Sequence, residues 1–140
     1  MASYNKYQEF VENLLKGVHN FSSNTFKVML SNTTPNADTH TVRADVTELS
    51  TANGYTSGGS ATTVSGVAES AGTSTIATTD VVFTASSGTI GPFRYAILYD
   101  DTPTSPADPL IAWWDYGSAV TLNDTETFTV NFGASTFTIA

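Results

Sequence analysis

The sequence PFRYAILY at residues 92–99 is the most apolar segment of the chain. It is followed by a proline-rich stretch at residues 100–109 and by a second apolar segment, LIAWWDY, at residues 110–116. A nearly continuous apolar run of this length is typical of a central strand that is covered on both faces. We therefore predict that residues 92–99 and 110–116 form a long hairpin at the heart of a β-sheet.

The chain on either side of this hairpin, from Phe21 onward, has the composition of pleated sheet. Threonine and serine make up 39 of the 140 residues, and β-branched side chains pack well across strands. Short segments with strand character recur roughly every eight to twelve residues between turn-forming residues, which is typical of a β-sandwich, of Ig-like or jelly-roll type, or of a small barrel. The further predicted strands are 25–31, 46–49, 62–67, 74–77, 81–85, 125–132 and 136–139.

The N-terminal segment has a different periodicity. Its apolar residues from Tyr4 to Val18 are spaced by three and four, which predicts one amphipathic α-helix with Ser3 as a possible cap and Gly17 at its end. We therefore divide the chain into an N-terminal helix or arm, residues 1–21, and a β-sandwich domain, residues 22–140. The apolar stripe must be buried either on its own sandwich or on a neighbouring subunit. Each apolar side chain that stays exposed to water loses about 1.5 to 3 kcal/mol of burial free energy.

Charge and composition exclude several classes of function. The net charge is −8 and the isoelectric point is near 4.3, and residues 44–140 contain ten acids against Arg94 alone. We therefore expect neither nucleic acid nor an anionic membrane surface as a partner. The chain contains no cysteine, which excludes thiol catalysis and cysteine-ligated metals. The sequence also predicts neither a membrane span nor a signal peptide.

The residues that could carry chemistry do not form a recognisable catalytic motif. We expect His19 to satisfy carbonyl groups at the end of the helix and His40 to be solvated in a loop. Two other possibilities are a pair of hydrolytic carboxylates and a calcium site formed by Asn36, Asp38, Asp45 and the loop 100–108. We predict that the protein is not an enzyme and has no catalytic residue, metal or cofactor. The carboxylates considered are Asp100, Asp101, Asp108, Asp115, Asp124 and Glu126.

The aromatic residues are the best candidates for contacts with other proteins. In a strand, Trp113 and Asp115 face one side, while Trp114 and Tyr116 face the other. The predicted interface residues, each of which could instead belong to the core of the chain, are Tyr7, Phe10, Leu14, Trp113, Trp114 and Tyr116. An alternative is glycan binding by Trp114 or Tyr55 together with the loop 100–109.

Six segments together resemble a family of small virion proteins of tailed bacteriophages and prophages. They are YNKYQEF at 4–10, FKVMLSNTTP at 26–35, TEL at 47–49 with NGYTSGG at 53–59, GPFRYAILY at 91–99, PLIAWWDYG at 109–117, and LND at 122–124 with FTVNF at 128–132. The resemblance covers nearly the whole chain and carries over no catalytic residue.

The resemblance implies a structural component of the virion, assembled in the cytoplasm of a bacterial host. The expected function is that of a capsid decoration or cement protein that stabilises the head through protein–protein contacts. The expected partners are further copies of the chain, as a trimer or a ring, and the major capsid protein or other virion proteins. The alternative is a neck, collar or tail spike component, or adhesin, that binds a glycan of the host surface.

Overall fold

The computed structural model describes residues 2–140 and is mainly β, with one α-helix. The helix α1 spans Glu9–Leu15, and Arg43–Asp45 form a short 3-10 turn. The strands in chain order are β1 Ser3–Lys6, β2 Phe26–Ser31, β3 Ser60–Thr62, β4 Val64–Ser70, β5 Thr73–Thr78, β6 Val81–Thr84, β7 Ile90–Asp100, β8 Leu110–Leu122, β9 Thr127–Val130 and β10 Phe137–Ile139.

The largest sheet has five antiparallel strands in the order β1-β8-β7-β2-β3. β7 and β8 are adjacent in it, with Ile97 opposite Trp113, so the predicted central hairpin is confirmed. β7 also pairs with β2, where Val28 lies opposite Leu98. Ile97 and Leu98 are both completely buried and point to opposite faces of the sheet, as the continuous apolar run requires.

A second layer covers one face of this sheet and completes a β-sandwich. It consists of a three-stranded sheet, β10-β5-β4, and a two-stranded sheet, β6-β9. The main core lies between the layers, where Val28 and Leu98 belong to the same buried cluster as Ile76 and Phe83. The predicted β-sandwich is therefore confirmed, with its second layer divided into two small sheets.

A second apolar cluster lies on the opposite face of the five-stranded sheet. It contains Met29, Ile97 and Tyr99 from the sheet, together with Tyr7 and Val46 from segments outside it. Residues 46–49, which we predicted to form a strand, are a loop that covers the sheet. The loop forms no strand ladder, and its main-chain bond to the sheet runs from the N–H of Leu49 to the carbonyl of Leu30 at 3.1 Å.

The predicted helix from Tyr4 to Val18 is wrong in its first half. Ser3–Lys6 form an edge strand along β8, with Tyr4 opposite Trp114, and the helix begins only at Glu9. Main-chain pairing with the edge of β8 thus replaces helical hydrogen bonding in these residues. Ser3 does not cap the helix, because Gln8 occupies the cap position and makes no side-chain capping bond.

The predicted end of the helix is confirmed. Gly17 adopts a left-handed conformation with φ of 76°. Its N–H donates to the carbonyl of Leu14 at 3.1 Å, and the N–H of Val18 donates to the carbonyl of Asn13 at 2.9 Å. These two bonds form a Schellman motif, which satisfies carbonyls at the helix end. Within residues 2–140, no helix is long and apolar enough to cross a membrane.

Candidate functional site

Two of the predicted interface residues belong to the core of the chain itself. Tyr7 and Phe10 are both 0% exposed, Tyr7 in the second cluster and Phe10 in the main core. Leu14 is partly buried against the main core. The helix therefore packs in cis on the sandwich, and Tyr7 and Phe10 are not contact residues in this conformation. The apolar stripe turns away from the sheet at Leu15, which is 82% exposed.

The two tryptophans lie on opposite faces of β8, as strand alternation predicts. Trp113 packs on Tyr7 in the second cluster, with ring centroids 4.6 Å apart. Trp114 packs against Phe132 at 5.1 Å and against Tyr4 at 5.7 Å. Both tryptophans are partly buried, whereas Tyr116, two residues beyond Trp114, is 50% exposed.

Trp114 and Tyr116 line an open groove that runs between β7–β8 and β9, which we call the β8–β9 groove. Its volume is about 360 Å³. On its β9 side, Phe128 and Val130 alternate with the exposed Thr127 and Thr129. The complete lining is Ala2, Phe93, Arg94, Tyr95, Ala96, Trp114, Tyr116 and the run Thr127, Phe128, Thr129, Val130, Asn131 and Phe132. The groove therefore combines aromatic walls with a border of hydroxyl and amide groups.

Arg94 lines the groove, and its guanidinium is held by Asp115, which lies on the face of β8 opposite Trp114 and Tyr116. The guanidinium donates from Nε to Oδ1 at 2.7 Å and from its second terminal nitrogen to Oδ2 at 3.0 Å. It also lies 5.5 Å from the centre of the Tyr95 ring. Hydrogen bonding from Arg94 lowers the pKa of Asp115 below its usual value. The pair is therefore charge-balanced and geometrically fixed.

A second exposed feature is the hairpin formed by β4 and β5, which we call the edge hairpin. Its two-residue turn, Ala71-Gly72, has φ of 51° and 85°, as a type I′ turn requires. Residues 65–72 are all exposed, and Val67 is 55% exposed. Within residues 2–140, β4 pairs with β5 and with no other strand, so its outer edge is free. The sequence predicts two strands here, 62–67 and 74–77, and Gly72 between them is the turn signal that joins them into a hairpin.

His19 has a different role from the predicted one. Its Nδ1 lies 3.0 Å from Oδ2 of Asp100, and both side chains are completely buried. It therefore bonds a carboxylate 81 residues away and not the carbonyls at the helix end. His40 lies in a loop, where its Nδ1 accepts a hydrogen bond from the N–H of Asn36 at 3.2 Å.

The candidate hydrolytic carboxylates are bonded to groups of the chain itself. Asp100 pairs with His19, and Asp101 pairs with Lys27 at 2.9 Å. These contacts bind segments of the fold together. The remaining contacts are Asp108 with Arg43 at 3.9 Å, Asp115 with Arg94 at 2.7 Å, Asp124 with the N–H of Ser87 at 2.8 Å and Glu126 with the N–H of Asn123 at 2.8 Å.

The proposed calcium ligands also serve local structure. Oδ1 of Asn36 accepts hydrogen bonds from the backbone N–H groups of Asp38 and Thr39 at 2.9 and 3.2 Å. Asp45 accepts from the N–H groups of Thr41 and Val42 at 2.9 and 3.1 Å, and these bonds lower the pKa of Asp45. Residues 2–140 contain no group of three or more His, Cys, Asp or Glu side chains that could hold a metal ion.

Tyr55 cannot stack on a glycan, which removes it from the alternative binding site. It is 2% exposed, and its hydroxyl donates to Glu48 at 2.6 Å and accepts from the N–H of Leu30 at 3.0 Å. The loop 100–109 joins β7 to β8 at Leu110, four residues before Trp114, which places it at about 13 Å along the strand. That loop is therefore not part of the β8–β9 groove.

The groove residues on β7 and β9 were not among the predicted site residues. Arg94 and Asn131 are separated by 37 positions and meet only because β9 folds back beside β7 and β8. Comparison with known proteins adds no assignment: no protein-family model, no curated protein and no solved structure matches this chain.

Proposed function

We propose that the protein is a non-enzymatic structural component of a bacteriophage virion, acting as a capsid decoration or cement protein. The resemblance of its sequence segments to small phage virion proteins is the starting point. The structural observation that carries the proposal is the free outer edge of β4, which can extend a sheet into a neighbouring chain. Such an edge suits a protein that works through contacts with many copies of its partners.

The edge of β4 has one of the usual protections against pairing, a bulge-like register shift between Val64 and Gly66 at its start, and lacks most of the others. Natural edge strands are commonly blocked by bulges, lysine, proline or inward-pointing charge. Residues 65–70 have the sequence SGVAES, with no lysine, arginine or proline. The one charged residue, Glu69, bonds the N–H of Gly72 in its own turn at 2.7 Å. The backbone donors and acceptors along β4 are therefore accessible to a partner strand.

The charge distribution is compatible with assembly through this edge. The chain carries a net charge of −8, so copies repel each other in general. The edge hairpin itself contributes only the charge of Glu69 between residues 64 and 78. Contact at the hairpin therefore brings few charges together, while the acidic remainder keeps the copies soluble.

The carboxylate bonds support a structural role for the acids of this chain. Six acids that could have formed a hydrolytic pair instead bind a histidine, a lysine, two arginines or backbone N–H groups. Their oxygen atoms hold loops and strand ends in place, which is the role expected of acids in a rigid contact module.

The direct test is the copy number of the protein in purified virions of the phage or prophage that encodes it. Quantitative mass spectrometry should find hundreds of copies, comparable to the number of major capsid proteins. Six or twelve copies would overturn the decoration proposal in favour of a neck or tail position. Absence from the virion would overturn the structural proposal as a whole.

A pair of substitutions tests whether β4 makes the contact. Val67→Lys places a charge on the free edge strand, and Val82→Lys is a matched control on β6, where the valine is 53% exposed. Both variants should melt like the parent chain, because both sites are exposed. We expect Val67→Lys, but not Val82→Lys, to lose binding to virions that lack the protein. Equal binding by both variants would contradict a contact through β4.

A further inference from the structure

We propose that the β8–β9 groove is a binding site for a neutral glycan, with one or two sugar rings seated between Tyr116 and the exposed positions of β9. This inference does not depend on where in a virion the protein stands. It rests on four features of the groove: its size, the accessible side chain of Tyr116, the polar residues along β9 and the balance of charge.

The groove has the size of a small-ligand site. Its volume of about 360 Å³ lies at the lower end of the range of about 300 to 1,000 Å³ that is typical of such sites.

The aromatic residues provide a rigid apolar surface. Tyr116 is 50% exposed and packs against Phe128 at 5.4 Å with an angle of 77° between the rings. Phe128 in turn packs against Phe93 at 4.9 Å. Aromatic rings that are held in this way offer contact area at a small cost in conformational entropy. The carbon-bound hydrogens on one face of a pyranose ring form an apolar surface that fits such a ring.

Polar residues border the aromatic surface along β9. Thr127 and Thr129 lie at the exposed positions of β9, and the exposed Asn131 follows the strand. Hydroxyl and amide groups both donate and accept hydrogen bonds, as sugar hydroxyls do. A ligand with an apolar face and hydroxyls around its edge therefore matches both parts of the groove.

The charge balance favours a neutral sugar over an acidic one. Among the described residues that line the groove, Arg94 is the one with a cationic side chain, and its guanidinium already bonds both carboxylate oxygens of Asp115. The chain as a whole is strongly acidic. A sialylated or phosphorylated glycan would meet this acidic field, and the described lining offers it no cationic side chain that is not already paired.

The experiment uses the intact protein and defined sugars. A glycan array identifies neutral glycans that retain the protein, with sialylated glycans as the contrasting arm. The proposal is then tested by NMR titration with chitotriose and maltotriose together with any neutral glycan that the array retains. We expect saturable shifts confined to residues 93–96, 114–116 and 127–132. No retention on the array and no shifts with either trisaccharide would overturn the proposal.

Two variants assign binding to the groove. Tyr116→Ala should weaken the binding of the retained glycan about tenfold or more, since it removes the accessible ring. Leu15→Ala, at an exposed position on α1, should bind like the parent. Thermal melting checks that both variants are folded. Unchanged binding by Tyr116→Ala, retention of sialylated glycans only, or shifts caused only by a peptide strand along β9 would each overturn the proposal.

Discussion

His19 and Asp100 form a fully buried pair, with Nδ1 of the imidazole 3.0 Å from Oδ2 of the carboxylate. Asn24 donates to the same oxygen at 2.8 Å, and the N–H of Thr102 donates to Oδ1 at 3.2 Å. The ring of His19 also packs on Phe10 at 5.3 Å. This network therefore ties the segment after α1 to the end of the central strand β7.

The buried pair should contribute strongly to stability. We expect Asp100→Ala to lower the free energy of unfolding by about 3 to 5 kcal/mol, because it leaves His19 buried without its partner. Asp101→Ala is the matched control, since Asp101 pairs with Lys27 and both side chains are 31% exposed. Its effect should not exceed about 1 kcal/mol. Urea unfolding measures both, and similar small losses would show that the buried pair is not an anchor of the fold.

The N-terminal helix should behave as part of the domain. Phe10→Ala removes a ring that is completely buried in the main core and should cost about 3 to 5 kcal/mol. Leu15→Ala lies on the same helix at 82% exposure and should change stability by less than about 0.5 kcal/mol. Denaturant unfolding of the two variants gives the comparison. Equal stability would mean that the helix does not pack on the sandwich in solution, and that residues 1–21 are a separate arm.

The ion pair of Asp115 should make stability fall in acid. Hydrogen bonds from Arg94 place the pKa of Asp115 in the folded state below its usual value of about 3.9. The folded chain therefore releases this proton at a lower pH than the unfolded chain does. The resulting stabilisation is present above the unfolded-state value and disappears as the pH falls through the folded-state value.

A substitution isolates this contribution. Thermal melting between pH 6 and pH 2 should show a smaller acid-induced loss of Tm for Asp115→Asn than for the parent chain. Asp38→Asn, at an exposed loop position, serves as the control and should follow the parent curve. If the Tm of Asp115→Asn falls with pH as steeply as the Tm of the parent chain, the pair with Arg94 does not contribute to stability in this pH range.

The left-handed residue at the helix end should be sensitive to substitution for a backbone reason alone. Gly17 has φ of 76°, and a β-carbon there would meet no atom within 4 Å. Gly17→Ala should therefore cost about 1 to 2 kcal/mol through backbone strain and not through a steric clash. Gly66→Ala in β4 also meets open space, without a positive φ, and should be neutral or slightly stabilising. Chemical denaturation distinguishes the two, and equal effects would contradict the strain argument.

The central hairpin was predictable because its signal is local. The apolar runs at residues 92–99 and 110–116 favour burial on both faces over most of their length, so their pairing follows from their composition and spacing. The N-terminal helix was predicted too long because Tyr4 satisfies a helical spacing and also a strand register opposite Trp114. Tyr4 adopts the strand and not the helix because it pairs with the edge of β8, and that edge does not exist until the sheet forms.

The candidate sites were predictable only in part. Alternation along β8 placed Trp114 and Tyr116 on one face, and the structure has them both in the β8–β9 groove. The other polar residues of that groove include Arg94 on β7 and Asn131 just after β9, and no periodicity relates them to β8. The role of His19 was unpredictable for the same reason, because its partner Asp100 is 81 residues away in the sequence.

By itself, the sequence determined a cysteine-free, acidic, mainly β chain with its most apolar strand at the centre and a helix that is terminated by Gly17. Those properties depend on composition and on contacts within a few residues. The tertiary structure decided that Tyr7 and Phe10 lie inside, that Asp100 meets His19, and that an aromatic groove and a free edge strand lie outside. Each of these depends on which distant segments share a surface, because burial and charge pairing are properties of the packed layers and not of any single segment.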